Sequence, residues 1–439
     1  MADPMTREIT VKTHHQLNEL LTFARQHSDY YKQLLVNVEG QVSSLSELPL
    51  TDPAEYWNHS HDLDQWPVLT GPAVKGIVFK TGGSTSAGKL SVYARDEWNA
   101  LVRDFGNSLT AQFSPGDRIA NLFFAGDLYA SFLFIHDALA HVPSDIIEFP
   151  FAGNVESSAL AEGIVQHRIN VLAGVPAHLL TFAAWLSRNG QVLENIDTVL
   201  FGGESLFAAQ RQTLAHVFPN ARIASIGYAS VDAGFIGAST LDCADGEHRT
   251  PDDHAVIEII DEVSGAVIND CDRPGLLVLT NLNRRLMPLL RYPVGDRASW
   301  REPVGTAMRK FVLKGRSASS QRVRVGILSL MPSELGDLVH HTVASDDWQL
   351  VIGQTALKDV LTLKWVAAGN SAETDDASQQ LKRRLIERYP LIETLQADQL
   401  LDLQIQCCSS ENLHRHPRSG KCLRVLDQRV YEHPLAEPA

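Results

Sequence analysis

The chain has 439 residues, of which 44% are hydrophobic and 21% charged; 38 basic against 52 acidic side chains leave a formal net charge of −14. At roughly 100–200 residues per domain, this predicts two to four domains around a sizeable core rather than a disordered or fibrous chain. The acidic balance argues against sequence-independent binding to nucleic acid or an anionic membrane, which needs a basic face.

Residues 16–36 place Leu17, Leu20, Leu21, Ala24, Tyr31, Leu34 and Leu35 at helical spacings, so one or two helices open the chain. A proline-rich stretch follows (Pro49, Pro53, Pro67, Pro72), then a strand, GIVFK (76–80), and a Gly/Ser/Thr loop, TGGSTSAGK (81–89). From there, apolar or β-branched bursts at 119–125, 169–175, 198–203 and 221–228 alternate with helix-length segments such as 177–190, which Gly190 closes. That alternation predicts a mostly parallel sheet covered by helices on both faces. After about residue 240 the pattern turns β-rich, with strands predicted at 255–261, 275–282 and 311–316. The small polar run SASSQ (317–321) is the natural linker. Beyond it, strands at 348–354 and 360–367, a helix at 377–389 and a strand at 401–408 form an α+β module of about 120 residues. No run of about 18 apolar residues predicts a membrane span, and MADPMTREITVKTHHQ lacks the apolar centre of a signal peptide. Five irregularly spaced cysteines give no disulfide framework, so a reducing cytoplasm is the expected location.

Several segments have the residue types that chemistry needs. In TGGSTSAGK, glycines let backbone approach a ligand while hydroxyls, N–H groups and Lys89 supply donors for phosphate oxygens; the plain alternative is a hairpin tip. Residues 83–89 fit G-x-x-x-x-G-K, but Leu90 stands where a P-loop needs a magnesium-binding hydroxyl. FGGES (201–205) ends a strand of the alternating region, where α/β ligands bind, or else makes a tight turn into a helix. The segment from Tyr228 to Asp232 offers an aromatic face and a carboxylate for a divalent cation. The segment from Arg291 to Arg297 sets Asp296 in a Gly-containing turn, where it can accept both hydroxyls of a ribose. Arg316 ends a strand, and Lys421 lies in a basic stretch that could equally be a solvated face. Cys243, His248 and His254 are candidate zinc ligands against the plainer reading of a polar surface loop. Aromatic residues within 123–142 (Phe123, Phe124, Tyr129, Phe132, Phe134) suffice to enclose a flat ring, or are core.

In this order, the motifs from Phe79 to Arg424 resemble the adenylate-forming superfamily, which includes acyl-CoA synthetases, firefly-type luciferases and the adenylation domains of peptide synthetases. LLTFARQHSDYYKQLL with LSELPLTDPAEY, and RSGKCLRVLDQR near the end, are similar to its phenylacetate–CoA ligase branch. The resemblance implies an α/β fold. A large N-terminal domain (1–316) has mostly parallel sheets covered by helices plus a β-rich subdomain, and a hinge at 317–322 leads to a small mobile α+β C-terminal domain (323–439). It implies ATP with Mg2+, activation of an aryl or arylacetic acid to an acyl-adenylate with release of pyrophosphate, and transfer to the thiol of CoA or of a carrier-protein phosphopantetheine. By motif, Thr81, Gly82, Gly83, Ser84, Thr85 and Lys89 match the loop gripping the β- and γ-phosphates. Gly202, Gly203 and Glu204 match the adenine-side turn, and Tyr228 the aromatic over the base. Asp232 matches the Mg2+-side acid, shorter than the family's Glu and in need of a bridging water; Asp296 matches the ribose acid, with Arg316 beside it. Lys421 matches the lysine that lid closure delivers to the carboxylate and α-phosphate.

The chain departs from the family pattern at Val231, where a hydroxyl residue normally precedes the acid, at Ala229 in place of glycine, and at 317–325, where the hinge carries no carboxylate. Three rivals follow: an adenylating protein that hands its acyl-AMP to a downstream enzyme, a P-loop ATPase releasing phosphate, and a non-catalytic nucleotide binder.

Overall fold

The computed structural model describes residues 11–80, 89–126, 128–206, 208–317, 323–326, 328–355, 358–367, 374–414 and 422–429. In chain order, helices α1 (Val11–His27), α2 (Asp29–Leu34) and α3 (Pro53–Tyr56) precede an antiparallel hairpin of β1 (Gly76–Lys80) and β2 (Leu90–Ala94). Then come α4 (Arg95–Ser108), β3 (Arg118–Leu122), α5 (Ser131–Leu139), β4 (Ile147–Pro150), α6 (Ser157–His167), β5 (Val171–Gly174), α7 (Pro176–Arg188), β6 (Thr198–Phe201), α8 (Ala208–Val217) and β7 (Arg222–Ser225). The five strands of this stretch form a wholly parallel sheet in the order β4-β3-β5-β6-β7.

Successive strand side chains point to opposite faces, and here they feed two cores. Ile119, Val171, Ala173 and Leu200 pack with α4 and α5, while Ala120, Leu172, Val199 and Phe201 pack with α6, α7 and α8. The alternating apolar bursts are therefore a doubly covered sheet, as the pattern predicts.

A short hairpin, β8 (Tyr228–Ser230) with β9 (Gly234–Gly237), leads into β10 (Glu247–Arg249), β11 (Ala255–Ile260), β12 (Gly275–Asn281), β13 (Leu289–Trp300) and β14 (Lys310–Arg316). The last five make an antiparallel sheet ordered β10-β14-β13-β12-β11. The helices that open the chain cover one face of it. Leu17, Leu20, Leu21, Ala24 and Leu35, all at most 3% exposed, share a core with Ile257, Leu277, Leu279 and Leu289. The apolar spacing read in residues 16–36 thus buries against strands more than 200 residues away.

The remaining elements are β15 (Val323–Val325), β16 (Leu328–Leu330), α9 (Pro332–Val343), β17 (Trp348–Thr355), β18 (Lys358–Val366), α10 (Thr374–Arg388), α11 (Leu391–Ala397), β19 (Leu401–Cys408) and β20 (Val425–Asp427). Four of these strands form a mixed sheet, β19-β18-β17-β20, over a separate core built from Leu350, Leu361, Leu363, Leu381, Leu385 and Leu403. Among the described residues, no helix is long and apolar enough to cross a membrane.

Candidate functional site

The carboxyl ends of the parallel strands open into a cavity of about 810 Å³. Its floor is Gly202, Gly203 and Glu204, which follow β6 directly. Gly203 has φ +81°, in the left-handed region that favours glycine, and a Cβ on Gly202 would lie 2.7 Å from Ile226 Cγ2. Backbone can come this close to a ligand only because both residues are glycine.

Tyr228, beside this floor, donates its hydroxyl proton to Asp296 Oδ2. Burial, and then the neighbouring Asp296 charge, push the Tyr228 phenol well above its usual pKa, so it stays a donor. Asp296 Oδ1 lies 3.1 Å from Arg316 Nε across the β13–β14 register that pairs these two residues. The sequence reading expected Asp296 in a turn; instead β13 runs through it, and the register with β14 slips just beyond it. Gly295 and Gly315, each with φ +86°, allow that irregularity and turn Asp296 and Arg316 toward the cavity.

Asp232 lines the same cavity. Its Oδ1 accepts from Ser230 Oγ at 2.6 Å and its Oδ2 from Tyr292 OH at 3.0 Å; Tyr292 OH in turn accepts from Trp57 Nε1 at 2.9 Å. The hydroxyl missing at position 231 is thus supplied by Ser230, whose Oγ also accepts from the Ala233 N–H. Lys89 lines the cavity with its ammonium 5.5 Å from the Trp57 ring centre. Residues 81–88 and Lys421 lie outside the described residues. After the loop, Leu90 begins strand β2 and not a helix, so the P-loop arrangement is absent.

The candidate zinc ligands are not brought together. Cys243 Sγ is 3.3 Å from Thr240 Oγ1, His248 Nε2 is 3.2 Å from Ser225 Oγ, and His254 Nδ1 is 3.1 Å from Asp104 Oδ2. No group of three or more His, Cys, Asp or Glu side chains converges as a metal site among the described residues. Nor do the aromatic residues of 123–142 wall the cavity. Phe123 is 2% exposed in the core beneath the parallel sheet, Phe124 is largely on the surface, and the aromatic rings that do line the cavity are Phe201, Tyr228 and Tyr292.

Residues after the linker also line the cavity: Val325, Gly326 and Met331, with Asp359, Leu400 and Arg429. Arg429 grips both oxygens of Asp427 (2.9 and 2.6 Å), with its Nη1 3.6 Å from Asp359 Oδ1. Sequence reading missed these residues, because no local pattern marks them. Tyr292 sat inside a segment it had singled out and was given no role.

A doubly covered parallel sheet with a glycine-floored cleft at its strand ends, closed by a separate α+β module, is the architecture of a ligand-binding α/β protein whose ligand lies between two bodies. No family model matches the chain. It is 28% identical to an indoleacetate–lysine synthetase of Pseudomonas savastanoi over 193 residues, which are 42% of this chain and 43% of that protein. It is 22% identical to a phenylacetate–coenzyme A ligase of Aromatoleum evansii over 341 residues, 77% of this chain and 74% of that one. In structure it is similar to a 2-hydroxyisobutyryl-CoA ligase solved with 2-HIB-AMP and CoA in the thioesterification state. The TM-score is 0.71 at 16% identity, covering 95% of this chain and 89% of that one. Against the same ligase in its postadenylation state the score is 0.61. At these identities the comparisons show a shared fold, that of an acyl-CoA ligase solved with an acyl-adenylate.

Proposed function

We propose that the chain is an ATP-dependent, AMP-forming ligase. It activates a carboxylic acid to an acyl-adenylate, releases pyrophosphate, and passes the acyl group to the thiol of CoA or of a carrier-protein phosphopantetheine. The observation that carries this reading is Asp296, held between the Tyr228 hydroxyl and the Arg316 guanidinium on the rim of the cleft. A fixed carboxylate beside an aromatic face and a glycine floor suits the sugar and base of a nucleotide. ATP lies there with its phosphates toward Lys89 and Asp232. Asp232, Ser230 and Tyr292 offer hard oxygen donors of the kind Mg2+ takes together with phosphate oxygens and water.

Attack of a carboxylate on the α-phosphorus brings two anions together, so the chain's contribution is positioning and positive charge. Residues 1–316 carry the nucleotide and acid, 317–322 act as the pivot, and 323–439 act as the lid that brings Lys421 to the reacting oxygens. The acid we favour is aromatic, in keeping with the phenylacetate and indoleacetate in the relatives' names. A second reading, transfer to an amine, is favoured by the relative named as a lysine synthetase.

Pyrophosphate release across a panel of aryl, arylacetic and aliphatic acids, with CoA, with lysine and with neither, tests these steps together. We expect release to depend on an arylacetic or aryl acid, AMP formation to accelerate with one acceptor class, and Lys421→Ala to abolish adenylation while ATP still binds. ATP bound but never cleaved with any acid would leave a nucleotide sensor instead.

A further inference from the structure

The turn that carries Asp232 is gripped by side chains from three directions. Ser91 Oγ and Tyr93 OH both donate to Val231 O, at 2.9 and 2.8 Å. Arg284 Nη1 donates to Asp232 O, and Asn281 Nδ2 donates to Ala233 O at 2.9 Å. Three successive carbonyls of one turn therefore meet side-chain donors, although ordinary turns leave most of theirs to water or backbone.

Arg284 is the unusual member. It is 2% exposed, and its guanidinium lies 3.7 Å from the Tyr93 ring centre. Its second terminal nitrogen donates to Val92 O at 2.5 Å, and among the described residues it has no carboxylate partner. A buried guanidinium normally requires such a partner, because desolvating the charge is costly. Here the charge faces carbonyl dipoles and an aromatic face instead. The two carbonyls it spans belong to Asp232 and to β2, the strand that leaves the glycine-rich loop. Arg284 itself does not line the cavity.

We propose that Arg284 is a positioning residue that locks the acid-bearing turn to the strand leaving the phosphate-gripping loop. Strand β2, with Lys89 just before it, and Asp232 then meet a magnesium–triphosphate as one unit. The proposal rests on the ligase reading above and adds a residue that acts only through backbone. Its reach is specific: it concerns the triphosphate end of the cleft and not the pocket for the acid.

The test uses the full chain with Arg284→Met, Arg284→Lys and Tyr93→Phe. Each is measured for Mg–ATP affinity by calorimetry at several magnesium concentrations, for KM of ATP and of the acid in pyrophosphate exchange, and for melting temperature. We expect Arg284→Met to weaken Mg–ATP about tenfold and Tyr93→Phe about threefold, with KM for the acid within about twofold of wild type. Arg284→Lys, which keeps the charge on a single donor nitrogen and so cannot span both carbonyls in the guanidinium's geometry, should recover part of the loss. Should Arg284→Met fail to fold, Tyr93→Phe and Arg284→Lys decide. Unchanged Mg–ATP affinity in both overturns the proposal, as does an equal rise in both KM values, which would mean general loosening. A wild-type protein that binds no Mg–ATP removes the ligase reading and this proposal together; a wild type that binds it with the variants unaltered removes the proposal alone.

Discussion

Behind Tyr228, the His248 ring sits 5.6 Å from the tyrosine ring and 5.9 Å from Phe311, 4% exposed. Burial holds its imidazole down to about 4, below the usual 6.5. The folded state therefore prefers the neutral ring. The stability this gives is fully present above about pH 6.5 and drains away as pH falls toward 4, by at most about 3 kcal/mol. Unfolding free energies of wild type and His248→Gln, followed from pH 7 to pH 4, should converge as the acid side is approached. Parallel curves would mean that this ring carries no such linkage. At the residue scale the sequence allowed a zinc-ligand role for His248. Its real surroundings, Ser225, Tyr228 and Phe311, come from two different sheets and the hairpin between them, and no spacing reveals that. Asp232 shows the opposite case. Its place after a strand end singled it out, and it does line the cavity; the bond from Ser230 needed coordinates, because it depends on how the turn closes.

Among the elements, β1, β11, β12, β14 and β19 lie within a residue or so of where their apolar runs place them, because each is a short segment with local punctuation at its ends. Within the 12-residue β13, Asp296 was read instead as lying in a turn. The strand's irregularity follows from Gly295 and from pairing on both sides, and pairing is a non-local fact. The same strand is clasped from behind by the opening helices. Tyr31 OH and Tyr56 OH both donate to Pro288 O, at 2.8 and 2.9 Å. Arg291 reaches Leu48 O at 2.7 Å while pairing with the buried Glu258 at 3.0 Å. Either tyrosine hydroxyl alone can satisfy the Pro288 carbonyl. Tyr31→Phe and Tyr56→Phe should then each cost about 0.5–1.5 kcal/mol, and the double variant about 1 kcal/mol or more beyond their sum, since a buried acceptor is then left empty. Chemical denaturation of the four proteins checks this; strict additivity would show that the two bonds do not share the load.

For the molecule as a whole, Leu400 is the residue that both bodies share. It packs against the core of the parallel sheet's α6–α8 face and also against the core of the second module. Turning the module would strip one of those contacts from it. On the two-step reading proposed above, Leu400→Ala is expected to lower the rate of acyl transfer relative to adenylation, by about two- to tenfold for a loss near 0.5–1.4 kcal/mol. The ratio of acceptor-dependent AMP formation to pyrophosphate exchange reads it directly, and a ratio equal to wild type counts against a role for this contact. The strands and the helix read beyond residue 348 were legible in the sequence from their periods. That Asp359 and Arg429 wall the same cavity as Gly202 was not, since surfaces meeting across a cleft leave no periodic trace.

The clasp on β13 also orders events during synthesis. The bonds from Tyr31 to Pro288, from Thr51 to Leu290 and from Arg291 to Leu48 join positions 257, 239 and 243 residues apart. At a ribosomal pace of about 5–20 residues per second, the opening helices wait roughly 10–50 s for the strand they cover. Until then their apolar faces lack the strands they cover, so helices made early settle late, and in that interval the nascent chain exposes apolar surface to chaperones and to misassociation.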